Sequence, residues 1–156
     1  MFGLFKKKKQ EPRRYDVTQI EFDVTALASN LIKKQTDFYY FQKEQQERNK
    51  RSPLLSAEYI TPWVIGYCVG MLDAIAQTEA NHMVYTSEMQ LLLFSVVFGE
   101  EHVIDAFGMY IACNEVESNS PFGVINEEYS LGLNKAFNEV CNNESIAGLL
   151  MHLQIS

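Results

Sequence analysis

The chain has 156 residues, 47% of them hydrophobic, and a formal net charge of −7. That length suits one domain with a single buried core, and the apolar fraction excludes a wholly disordered chain. Its three cysteines, Cys68, Cys113 and Cys141, include no C-x-x-C pair. A disulfide framework and a cysteine-based zinc site are therefore not expected. The cysteines read as reduced, buried thiols of a cytoplasmic protein.

Charge is distributed unevenly. Residues 1–14 hold six bases and one acid, a net of +5, and residues 15–51 hold six of each. Residues 52–156 hold thirteen acids and a single base, Lys135, a net of −12. Phosphate contacts need a basic surface, so nucleic-acid binding by this body is not expected.

The first stretch, MFGLFKKKK, sets Phe2, Leu4 and Phe5 against Lys6, Lys7, Lys8 and Lys9, with Arg13 and Arg14 close behind. Apolar residues that precede the charges reverse the order of a secretory signal. The segment carries no helical period, and Gly3 and Pro12 interrupt it, so residues 1–14 are expected to be a flexible leader and 15–156 the folded domain. The same residues suit an anionic membrane surface. The apolar three would insert at the interface while each base contributes about 1 kcal/mol near the headgroups. The alternatives are a solubilising tail, or docking of the leader on the acidic body of the same or another copy.

Ile20, Val24, Leu27 and Leu31 recur at three- and four-residue steps and predict a long helix over about 17–49, ended by Ser52-Pro53. Within it, Phe38, Tyr39, Tyr40 and Phe41 point all round a helix, more than one neighbour can bury. If this part of the helix lies at the rim of the body, Tyr39 or Tyr40 is left for a second copy of the chain or a ligand. The favoured expectation is that flanking helices and the 52–60 loop cover them, with the hydroxyls reaching water. Thr61-Pro62 starts a second helix as N-cap and first helical residue. Its apolar residues cover most of the circumference, which marks it as central, and Gly66, Gly70 and Ala74 form a small stripe for close approach of a neighbour. Its most apolar stretch, Trp63 to Ala76, would be roughly 21 Å long as a helix, short of a roughly 30 Å hydrocarbon core.

A capping box of Ser87 and Gln90 predicts a third helix, stopped by Gly99. A fourth follows over about 100–115, with Val103, Ile104, Phe107 and Ile111 on one side. A turn-rich loop, SNSPFGVIN, leads to a fifth helix capped by Asn126, with Tyr129, Leu133, Phe137, Val140 and Cys141 facing in. A short sixth covers about 145–154. The expected fold is all-α, a bundle of five to six helices.

Chemical signatures are sparse. The common nucleotide-binding, zinc-protease and hydrolase motifs do not occur, and no cofactor is expected. Glu79 and His82 form an isolated E-x-x-H, a weak metal candidate because helical di-iron sites use two such motifs and two further glutamates. Glu101, His102 and Asp105 could hold a base only if they lined a cleft. His152, in the last turn of the last helix, suits the helix dipole. The expected function is that of a non-enzymatic interaction or adaptor protein, homodimeric through Phe38–Phe41 and in contact with the inner membrane face through residues 2–14. The alternatives are a small metal-dependent or hydrolytic enzyme using Glu79/His82 or His102/Asp105, and an acidic inhibitor of a basic partner protein.

Overall fold

A computed structural model describes residues 15–44, 53–115 and 123–155, which form six α-helices and, among the described residues, no strand. Helix α1 (Gln19–Glu44) starts at a reciprocal capping box. The Glu21 N–H donates to Thr18 Oγ1 at 3.2 Å, and the Thr18 N–H donates to Glu21 Oε1 at 2.8 Å. The predicted extension to residue 49 lies outside the described residues.

Helix α2 (Pro62–Glu79) begins as expected, with Thr61 Oγ1 accepting from the Val64 N–H. It is the central helix, buried without interruption from Val64 to Leu72. Helix α3 (Ser87–Phe98) is capped one residue earlier than predicted: Thr86 Oγ1 accepts from the Met89 N–H at 3.2 Å, and Ser87 is the first helical residue. Gln90, the supposed partner in the box, is buried instead. Gly99 ends α3 at φ +93°, where an L side chain would be strained, and a 3-10 turn (Glu100–His102) leads into α4 (Val103–Glu115). Helix α5 (Gly123–Cys141) starts earlier than predicted, so Asn126 lies within it and does not cap it. Helix α6 (Gly148–Ile155) is the sixth.

The pairing of α2 with α5 is the most extensive in the fold. A Cβ on Gly66 would lie 2.0 Å from the Tyr129 carbonyl oxygen, one on Gly70 2.3 Å from that of Leu133, and one on Gly132 2.0 Å from that of Trp63. The small stripe thus acts as expected, and α5 is the neighbour that uses it. This contact also decides how α5 turns. Tyr129, Gly132, Ala136 and Glu139 face inward, Leu133, Phe137 and Val140 are half-buried, and Cys141 is exposed, contrary to both expectations for that cysteine.

Helix α4 also departs from the pattern. Val103, Ala106 and Cys113 are buried, while Ile104 is 78% and Ile111 39% exposed. The small Ala106 and Cys113 side chains let α4 lie close to α3 and α2, its main helical neighbours, which turns the isoleucines outward. Residues from all six helices contribute to one core cluster.

Candidate interaction surface

Ile20, Leu27, Phe38 and Phe41 are between 40% and 52% exposed, and all fall along one flank of α1. The aromatic run within this flank divides: its tyrosines are covered, one of them by the loop over 52–60 as expected, and its phenylalanines are not. Tyr39 and Tyr40 are half-buried, their rings 5.2 Å apart and edge-on, and the Tyr39 and Tyr59 hydroxyls lie 3.4 Å apart. The hydrogen bond to Tyr39, followed by burial, raises the pKa of Tyr59 above its ordinary value. The phenylalanines point outward and the tyrosines are covered, because the 3-10 turn Ala57–Tyr59 offers a hydroxyl that a phenylalanine could not use. The exposed members of the run are therefore Phe38 and Phe41.

Helix α6 lies beside the C-terminal half of α1. The Leu150 N–H donates to Gln35 Oε1 at 3.0 Å, and Gln154 Nε2 donates to Gln42 Oε1 at 2.9 Å. It carries two further exposed apolar side chains, Met151 and Ile155.

Beneath that contact lies a buried polar network that sequence patterning missed. Gln35 Nε2 donates to the Tyr67 hydroxyl oxygen at 3.1 Å, and the Tyr67 hydroxyl donates to Glu139 Oε1 at 2.6 Å. Glu139 Oε2 accepts from the Ala147 N–H at 3.3 Å and lies 4.0 Å from Lys135 Nζ. Burial, then the bond to Glu139, pushes the Tyr67 pKa well up, so its hydroxyl stays a donor. Helix α6 has alanine where a capping side chain would stand, and Glu139 and Gln35 supply the missing acceptors from α5 and α1. A left-handed Asn143 makes this possible. The Glu144 N–H bonds back to the Glu139 carbonyl at 3.0 Å and folds the chain over the end of α5. A polar residue at an inward helical position, such as Glu139 after Ala136, is the only signal the sequence carries for this network.

His152 belongs to the same region. Its ring stacks on Trp63 with centroids 3.9 Å apart and planes 3° from parallel, and Trp63 stacks on Tyr67 in turn. Burial lowers its pKa, and the carboxylate of Glu128 opposes that shift only partly. His152 lies in the last turn of α6 as expected, and its ring also packs against Trp63.

The remaining candidates are dispersed. Glu79 is the last residue of α2, and the left-handed Asn81 and His82 follow, with the His82 N–H bonded to the Gln77 carbonyl at 3.0 Å. His82 therefore does not share a helical face with Glu79, and no group of three or more potential metal ligands occurs among the described residues. His102 lies 3.6 Å from both Glu101 Oε1 and Asp105 Oδ2, beyond hydrogen-bonding distance, and both carboxylates are largely in solvent. Phe2, Leu4, Phe5, Lys6 to Lys9, Arg13 and Arg14 lie outside the described residues. No helix among the described residues is long and apolar enough to cross a membrane. No family model, curated protein or solved structure matches this chain.

Proposed function

We propose that the protein is a non-enzymatic, cytoplasmic helical interaction protein that pairs with a second copy of itself through the outer flank of α1. The observation that carries this reading is the exposure of Ile20, Leu27, Phe38 and Phe41 on that flank. Charge favours a second copy as the occupant. Residues 15–51 balance six bases against six acids, whereas residues 52–156 carry −12. Two copies approaching through α1 avoid the repulsion that any other pairing of these acidic bodies would meet.

Burying eight half-exposed side chains in a symmetric pair contributes roughly 6–12 kcal/mol. Association opposes this by about 4–15 kcal/mol. The net affinity is at best about micromolar. Sedimentation equilibrium between micromolar and millimolar protein tests the pairing. The wild type should show a rising mass that Phe38→Ser with Phe41→Ser abolishes, and an unchanged monomer mass in the wild type would remove the reading.

A second reading, contact of residues 2–14 with an anionic membrane, is favoured by the abutting apolar and basic residues of MFGLFKKKK. Salt-sensitive sedimentation of the full chain with anionic vesicles, but not neutral ones, would support it.

A further inference from the structure

We propose that in lipid-free solution residues 1–14 dock in cis on the outward face of α4. The face has an apolar line and an acidic margin. Ile104, Gly108, Ile111 and Ala112 are all exposed on one side of the helix, with Glu101, Asp105 and Glu115 also exposed along it. No lysine or arginine occurs anywhere from residue 52 to 134, and among the described residues the basic group beside this margin is His102, 3.6 Å from Glu101 and Asp105. Residues 1–14 carry the complementary pattern, Phe2, Leu4 and Phe5 for the apolar line and a net charge of +5 for the acids.

The chain also enters the body at the right place. The Tyr15 hydroxyl donates to Glu100 Oε1 at 3.0 Å, in the turn that immediately precedes α4. Fourteen residues reach up to about 46 Å when extended. Helix α4 is only about 20 Å long, so the whole face is within range. Tethering makes the encounter intramolecular, so the occupant competes at high effective concentration against any free partner.

Gly108 supports the same assignment. A glycine inside a helix is destabilising by about 1 kcal/mol relative to alanine. Unlike Gly66, Gly70 and Gly132, it has no packing role among the described residues, where a Cβ would meet no atom within 4 Å. A segment lying across the face gains close approach at that point.

The test is photo-crosslinking of the full chain carrying Phe5→p-benzoylphenylalanine, in lipid-free buffer, with the joined peptides mapped by mass spectrometry. The expected product is a monomer-sized species joined to residues 103–115. Its yield should fall about tenfold in 0.5 M salt, where screening acts within about 4 Å. It should fall as far in Gly108→Gln, which fills the face without touching the core and therefore folds. Crosslinks only between chains, crosslinks to other helices, no crosslink at all, or a yield unchanged by Gly108→Gln would each overturn the assignment.

Discussion

The Tyr67 hydroxyl and the Glu139 carboxyl meet at 2.6 Å in the protein interior, where Tyr67 is fully buried and Glu139 is 2% exposed. Their bond joins α2 to α5, and through Ala147 and Gln35 it secures the start of α6. Tyr67→Phe removes one hydroxyl and leaves a buried acceptor without its donor. Urea unfolding should show a loss of about 1–3 kcal/mol. Hydrogen exchange at Ala147 and Leu150 should accelerate more than exchange in α3. Unchanged stability would mean that the network contributes nothing net.

Two glycines should respond in opposite directions to the same change. Gly132→Ala forces a Cβ to 2.0 Å from the Trp63 carbonyl oxygen, so the helices must part, and a loss of about 1–3 kcal/mol or more is expected. In a chain lacking residues 1–14, Gly108→Ala meets only open space in the described body and should gain up to about 1 kcal/mol of helix propensity. Thermal melts of both variants check the contrast.

Acid should weaken the packing of α6. Burial lowers the pKa of His152 below its ordinary 6.5, so the unfolded chain binds a proton more readily than the folded one. The resulting stability is fully present above about pH 6.5 and is lost as pH falls through the lower, folded value. The melting temperature should therefore drop between pH 7 and 5. His152→Phe, which keeps a ring against Trp63, should flatten that drop. An equal slope in both proteins would assign the pH dependence elsewhere.

Thiol reactivity should separate the three cysteines. Burial pushes the Cys68 thiol up to about 12 and also raises that of Cys113, whereas Cys141 is exposed. A disulfide reagent at pH 8 should titrate one thiol quickly in the native protein and the other two only on unfolding. Rapid reaction of two or three would show that the core opens readily.

The bundle was legible because its boundaries are written in local chemistry. Thr61-Pro62 and Gly99 act over one turn of chain, and the structure uses each as expected. The rotation of a helix about its axis depends on its neighbours. In α4, Val103, Ile104, Phe107 and Ile111 form the more apolar arc, yet Ala106 and Cys113 go inward because small side chains allow closer approach. In α5 the same preference brings Gly132 and Ala136 to face α2 and carries Glu139 into the core. The aromatic run announced a surface, but only the position of Tyr59, twenty residues beyond Tyr39, decided that the phenylalanines would occupy it.

The central claim is that two copies meet along α1. Double electron–electron resonance tests it most directly, with a spin label on Asn30→Cys, an exposed position on α1, in a Cys141→Ser background. Well above micromolar concentration, a short, narrow distance distribution is predicted, as expected for paired helix axes about 8–10 Å apart. It should vanish when Phe38→Ser and Phe41→Ser are added. Absence of dipolar coupling in the unmutated flank, or coupling that survives those substitutions, would contradict the account.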